Sequence, residues 1–400
     1  MTKSRTFEFV ALIAALFATI AISIDGMLPA LPEIAATLSP DAPNAAQLVV
    51  TSFVFGMGIG TLFAGPLSDA FGRKRVILIG GGFYALAALA CYFAPSLEVL
   101  LVARVLQGLA ASAPRAVSIA MVRDLFSGRD MARIMSFVMM VFTLVPAMAP
   151  LMGSGIMSLG GWHAIFLAYI AFSGLTMLWL GLRQPETLAV DRRRPLRVTT
   201  LLAALREVLS YRVILVGTVI QALTLAALFA TLSSIQSIFE QQFHRGASFP
   251  LWFAFIALMA MSGSMLNSRI VMTLGMHRVV TRTYAGVVGL SLAALTLISS
   301  GLLPESISFS VQVLWCIGLF AMMGLTMGNL NALAMEPVGH IAGMAASVIS
   351  AMATVGSVLL AIPVGLAFNG TSTPLLAGVA VLSGLALLLS RFGLATRPKT

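Results

Sequence analysis

Long apolar runs separated by short polar breaks set the rhythm of the chain. About 20 apolar residues in a row cross the hydrocarbon core as a helix. Twelve such runs can be read, at 7–31, 45–64, 76–93, 97–122, 134–159, 162–182, 213–239, 249–273, 279–300, 307–334, 341–368 and 374–394. The predicted fold class is an all-α polytopic membrane protein with 12 transmembrane helices. One long polar connection, 183–212, divides them into a six-helix half at 1–182 and a second at 213–400. The basic start and apolar run of Met1–Ile24 look like a signal peptide. The run is long, however, and no small-residue cleavage site precedes a soluble domain, so it reads as a retained first span.

The densest polar break in the first half is Gly65-Pro66-Leu67-Ser68-Asp69-Ala70-Phe71-Gly72-Arg73-Lys74-Arg75. It predicts a tight turn at a membrane surface. Gly263-Ser264-Met265-Leu266-Asn267-Ser268-Arg269, followed by Gly275 and Arg278, echoes it in the second half, with Asn267 in the place of Asp69. A repeat of half the chain length makes the two halves pseudo-symmetric and predicts a substrate site between them near the midplane.

Composition sharpens this picture. The 400 residues are 59% hydrophobic and 10% charged, where a soluble domain carries roughly 25% charged residues. A net charge of +10 would suggest nucleic acid in a soluble protein. Here the basic residues gather in alternate short loops. With the N-terminus inside, 21 of the 24 lie in inner segments, from Lys3 and Arg5 through Arg192-Arg193-Arg194 and Arg197 to Arg391, Arg397 and Lys399. Arg245 alone falls outside, and Arg104 and Arg115 fall within span 4. That asymmetry predicts cytoplasmic termini. Cys91 and Cys316 lie in apolar runs, and the four histidines are scattered, so neither a disulfide nor a metal site is expected. Gly56-Met57-Gly58-Ile59-Gly60 lies inside a span with no strand before it, so it is not a nucleotide loop. No catalytic cluster is present, and the chain does not read as an enzyme.

Three charges fall inside spans, where insertion costs at least about 2.5–3.5 kcal/mol. Asp25 and Arg104 each lie roughly 10 Å from the outer end of their helix and hence at similar depth. Burial favours a protonated Asp25, whereas a nearby guanidinium favours the carboxylate. A carboxyl group held between these influences can load and release a proton; the alternative is a structural ion pair. Arg115 follows Pro114. It can bind an anionic group of the substrate or snorkel to the inner interface. Gln47, Gln221, Gln236, Asn329 and Asn331 are further cavity candidates, although helix–helix hydrogen bonding explains each more simply. Phe137, Met139, Met140 and Phe142 can line a tolerant pocket, with ordinary packing the plainer reading. The pairs Gly56/Gly60 and Gly324/Gly328 allow close helix approach. Pro146, Pro150 and Gly153 weaken span 5 locally, which suits a bending element as well as a static kink.

These stretches resemble a known family. Gly65-x-Leu67-Ser68-Asp69-x-x-Gly72-Arg73-Lys74-Arg75 is similar to the loop motif of the major facilitator superfamily. Arg104-x-x-Gln107-Gly108 is similar to its span 4 motif, and Pro146-x-x-x-Pro150-x-x-Gly153 to its span 5 antiporter motif. Asp25 with Leu28-Pro29-Ala30-Leu31-Pro32, Gly161-Trp162-x-Ala164-Ile165-Phe166, and Ala334-Met335-Glu336-Pro337-x-Gly339-His340-x-Ala342-Gly343 together resemble the Bcr/CflA drug:proton antiporters. The resemblance implies multidrug efflux across a bacterial inner membrane by alternating access, driven by the proton gradient without a cofactor. It implies proton coupling at Asp25 and Arg104, and a conformational gate at Gly65, Asp69, Gly72 and Arg73 that acts through contacts between the halves. Asp25, Arg115, Gln47, Gln221 and Met140 are the substrate-binding candidates. A small molecule, protons and the bilayer are the expected partners, with no nucleic acid, and the chain is expected to act as a monomer. A narrow metabolite exporter, or an importer or facilitator of the same fold, is the alternative. Some multidrug relatives carry a second span 1 acid in the region where this chain has Phe17.

Overall fold

A computed structural model describes residues 3–193, 195–196 and 198–393, without the side chains of 3, 4, 132, 142, 143, 198, 200, 201, 204, 339, 340 and 342. Arg194, Arg197, Arg397 and Lys399, and the side chains of Lys3, Phe142 and His340, thus lie outside the described residues. The described chain is helical and forms two compact units, Met1–Val198 and Thr199–Thr400. Eleven described stretches are long and apolar enough to cross a membrane. One of them, 56 residues long, changes direction at Gly160 and Gly161 (φ 64°). Its two arms are the predicted spans 5 and 6, which restores the count of twelve.

The first unit contains α1 (Lys3–Asp25), the short α2 (Leu31–Leu38), α3 (Leu48–Phe71), α4 (Arg73–Tyr92), α5 (Leu97–Leu125) and the bent α6 (Gly128–Arg183). Helix α5 packs on α3 and α4, and α6 packs on α1 and α4. The α3–α5 contact is backbone on backbone: a Cβ at Gly56 would sit 1.9 Å from the Val105 carbonyl oxygen, and one at Gly108 equally close to that of Phe53. Phe9, Leu12, Phe17, Ile77, Val117 and Met121 form a buried apolar cluster. Phe17 therefore faces hydrocarbon, a setting that would penalise the acid some relatives carry there. On α4, Phe83 and Leu86 are exposed, as acyl-chain contact requires of a membrane helix.

The second unit contains α7 (Val198–Ser210, which starts one residue before the division), α8 (Arg212–Gln241), α9 (Phe249–Leu274), α10 (Met276–Ser299), α11 (Glu305–Met335), α12 (Ala342–Leu366) and α13 (Thr373–Gly393). Helix α8 packs on α12 and α13, α9 on α11, and α10 on α11 and α13. Gly324 seats against Ser264, but a Cβ on Gly328 would meet nothing within 4 Å. Only the first glycine of that pair is therefore needed for close approach.

Three expectations need correction and a fourth narrows. Span 1 is not one helix. It stops at Asp25, and a 3-10 turn (Leu28–Ala30) and α2 follow. Pro29 has no N–H to give the Asp25 carbonyl, and Pro32 none for Leu28. The tight turn predicted over 65–75 narrows to one residue: α3 runs through Pro66 to Phe71, only Gly72 leaves the helix, and α4 starts at Arg73. The polar connection 183–212 holds the 13-residue helix α7. The repeat register also differs. Gly72 (φ 99°) and Gly275 (φ 79°) occupy the same capping position. Counting back from each, the counterpart of Asp69 is the exposed Met272, not Asn267.

Candidate functional site

The end of α1 is the focus of the first unit. Once the helix stops at Asp25, the Ile22 carbonyl still takes its helical bond from the Gly26 N–H (3.0 Å), but the Ser23 carbonyl receives no such bond among the described residues and needs another donor. The Ser23 carbonyl accepts from Arg104 Nη2 at 2.9 Å. The Tyr169 hydroxyl donates to the Ile22 carbonyl at 3.0 Å and lies 3.5 Å from that of Ser23. The Ser23 hydroxyl pairs with Tyr84 Oη at 2.6 Å. Helices α4, α5 and the second arm of α6 thus all hold the same broken turn.

Arg104 is fully buried, and each of its three guanidinium nitrogens has an acceptor. Its Nε donates to the Val49 carbonyl (3.1 Å) and its Nη1 to Gln107 Oε1 (2.7 Å), while its Cζ lies 4.4 Å from the Phe53 ring centroid. A planar guanidinium with five donors suits three acceptors in fixed directions. The Arg104-x-x-Gln107 spacing places both side chains on one face of α5.

Asp25 is buried, 5% exposed, and among the described residues it makes no hydrogen bond or ion pair. The possible Asp25–Arg104 ion pair does not form: the guanidinium is taken up by main-chain carbonyls and Gln107. Immediately after Asp25, Gly26 meets the first arm of α6. A Cβ on Gly153 would sit 2.2 Å from the Gly26 oxygen. Helix α6 continues through Pro146 and Pro150, each removing one helical donor just before this contact. The antiporter-like motif therefore bears on the break beside Asp25.

The other candidates lie apart. Arg115, eleven residues beyond Arg104 and so roughly 16 Å along α5, is half-buried and has no hydrogen-bond or ion-pair partner among the described residues. Gln47 is buried in the turn before α3. Met140 is on an exposed face of α6. Gln221 and Gln236 are buried on α8 of the second unit. Asn329 bonds Asn267 Oδ1 at 2.8 Å, a helix–helix contact as the plainer reading expects.

At the opposite end of the first unit, Gly72 and Arg73 organise a second cluster. Arg73 pairs with Asp69 (2.5 Å) and Asp124 (3.2 Å), and its Nη1 donates to Ser68 Oγ (2.6 Å). Gly65 lies inside α3, its carbonyl accepting from the Ser68 hydroxyl. Two residues here escaped the sequence reading, Asp124 and Glu186. The Glu186 carboxylate accepts from the backbone N–H of Arg73 (2.9 Å) and Lys74 (3.2 Å), so an anion caps the start of α4. A Cβ at Gly72 would lie 2.5 Å from Glu186 Oε2, so glycine serves both the positive φ and this approach. At the matching Gly275, a Cβ would meet nothing within 4 Å.

Compared with known proteins, the chain matches the Major Facilitator Superfamily over residues 11–361. It is 31% identical over 336 residues to the uncharacterized MFS-type transporter YdgK of Bacillus subtilis, covering 82% of this chain and 81% of that protein. It is 36% identical over 215 residues to the bicyclomycin resistance protein homolog of Haemophilus influenzae, covering 52% of this chain and 54% of the relative. The structure superposes on the crystal structure of a D-xylose-proton symporter with a TM-score of 0.75, 13% identity and 98% coverage of both chains. That last likeness is one of fold.

Proposed function

The chain belongs to the Major Facilitator Superfamily of multi-pass membrane transporters, and from that premise we propose that it is a proton-coupled exporter of drugs or small amphipathic metabolites, an antiporter of the Bcr/CflA kind. The observation that carries the proposal is Asp25: a buried carboxyl group without a cation partner among the described residues, set at a helix break gripped by Arg104 and Tyr169. Such a group is neutralised by taking a proton and gives it up when water reaches it. The break lets the backbone beside it shift without unwinding a continuous helix. The seat of Gly153 on Gly26 would link bending of the proline-containing arm of α6 to that shift. The bicyclomycin resistance relative supports drugs as the substrate class.

In this reading Asp25 carries the proton and Arg104 positions it. Substrate would be held by Asp25, Arg115, Gln47, Gln221 and Met140. Gly65, Asp69, Gly72 and Arg73 would act as the gate, and the Pro146–Pro150–Gly153 arm would bend. Both termini would lie in the cytoplasm, as the loop charges indicate. The proton gradient alone would drive a monomer.

Transport in proteoliposomes with an imposed pH gradient tests this. Wild-type protein is expected to move a cationic or neutral amphipathic drug against its gradient, with a counterflow of protons. Transport that ignores the imposed gradient would overturn coupling. Coupled movement of one metabolite, with no drug accepted from a broad panel, would favour the narrow exporter.

A further inference from the structure

A cavity of about 780 Å³ lies within the second unit, between α9 and α11. Its walls include Trp252, Phe255 and Met265 on α9, and Phe309 and Leu314 on α11; Ser262 and Ser310 also line it. Phe255, Met265 and Leu314 are exposed, so the cavity opens sideways as a groove. The buried polar groups of α11 fall elsewhere. Gln312 and Trp315, whose indole donates to Ser291 at 2.9 Å, lie by helical spacing on the side away from Ser310, Leu314 and Ile317. The groove is apolar and turned from the polar interior of its unit. From Trp252 to Met265 it follows roughly 20 Å of helix, enough for the depth of one leaflet of a core about 30 Å thick.

One end of the groove is charged. Where α9 and α11 both begin, the Arg245 guanidinium lies over the Phe309 ring, with Cζ 4.6 Å from its centroid. Trp252 packs edge-on against the same ring at 4.9 Å. Arg245 is exposed, and no carboxylate pairs with it among the described residues, although Glu240 and Glu305 are exposed at this end. It is also the one basic residue that the loop charges assign to the outer side. An apolar slot one leaflet deep, with an exposed cation at its interfacial end that no carboxylate neutralises among the described residues, matches an amphiphile with an acyl chain and an anionic head. We propose that this groove binds an anionic phospholipid, with the acyl chain between α9 and α11 and the phosphate on Arg245.

The test uses the full-length protein in neutral detergent, mixed with equal amounts of phosphatidylglycerol and phosphatidylcholine. Retained lipid is counted by native mass spectrometry. Wild-type protein is expected to favour phosphatidylglycerol about fivefold, the typical effect of one basic residue near an anionic lipid surface. Arg245→Gln should remove that preference and Arg245→Lys should keep most of it. Ser310→Trp, which puts bulk into the groove, should lower retention of both lipids. Equal retention of the two lipids by the wild type, or an unchanged preference in Arg245→Gln, overturns the site. So does unchanged retention in Ser310→Trp. A cationic amphiphilic dye that displaces phosphatidylglycerol from the wild type but not from Ser310→Trp would assign the groove to substrate and also overturn it. If Arg245→Gln does not fold, an Arg245→Ala variant with wild-type thermal unfolding takes its place.

Discussion

Arg104 donates from Nη2 to the main-chain carbonyl of Ser23 at 2.9 Å, which fixes the backbone two residues before Asp25 and leaves the carboxyl group itself unpaired among the described residues. Positioning and proton carriage are therefore divided between two residues. The guanidinium sets where the acid sits, and the acid is free to change charge without first breaking an ion pair.

Asp25→Asn is expected to abolish gradient-driven export while leaving stability close to that of the wild type. Breaking a buried ion pair typically costs about 3–5 kcal/mol. Among the described residues no such pair holds Asp25, so the neutral isostere strands no partner. Thermal unfolding of the purified variant checks the second half of this. A loss of several kcal/mol would mean that a cation holds Asp25 after all.

Arg104→Lys keeps the charge but not the fork. An ammonium presents three donors from one atom, and cannot face Ser23, Val49 and Gln107 in the directions the guanidinium does. Each buried acceptor left alone costs about 1–3 kcal/mol. The variant is expected to melt well below Asp25→Asn and to lose export. Wild-type stability of Arg104→Lys would show that the Val49 and Ser23 contacts contribute little.

The helices and the main candidates were legible because their signals are local. Span lengths follow from apolar runs, and Asp25 and Arg104 stand out as charges in such runs. Their relationship was not legible. Opposite charges at equal depth suggest a pair, whereas Arg104 is satisfied by the Val49 and Ser23 carbonyls and by Gln107, and the Ser23 carbonyl is open to it because the helix has broken. The break is written in Pro29 and Pro32, but hydropathy does not register a missing N–H. Glu186 was hidden for another reason. It caps a helix that starts 113 residues earlier, and no local pattern marks that contact. The proposed register of the repeat paired Asp69 with Asn267 by residue type, while the backbone aligns the capping glycines Gly72 and Gly275.

Gly153→Ala is expected to impair export and lower stability, because its Cβ would sit 2.2 Å from the Gly26 oxygen, with main chain on both sides. Overpacking of this kind typically costs about 1–3 kcal/mol. Gly155→Ala, two residues on, meets nothing within 4 Å and serves as the control. It should match or slightly exceed the wild type, since alanine is the better helix former. Equal behaviour of the two variants would remove the contact between α6 and the α1 break from the mechanism.

Glu186→Ala should release the segment after α6 from the start of α4. The carboxylate accepts four backbone N–H groups, those of Arg73, Lys74, Thr187 and Leu188, and it lies at a helix N-terminus, where negative charge is favoured. Loss of such a cap costs about 1–2 kcal/mol, a factor of roughly 5–30 in the local opening equilibrium. Leu188 is buried at 8% exposure, and both native cysteines are buried as well. A cysteine placed at 188 therefore reports opening to a maleimide probe against a quiet background. Labelling of Leu188→Cys should be slow with Glu186 present and several-fold faster with Glu186→Ala. Glu186→Gln, which keeps acceptor oxygen but loses the charge, should fall between them. Equal rates in all three would mean that the segment is held by other contacts, such as Thr187 to Asp124 (3.1 Å) and Lys74 to the Gly181 carbonyl (2.7 Å), and that Glu186 does not control the cluster around Arg73.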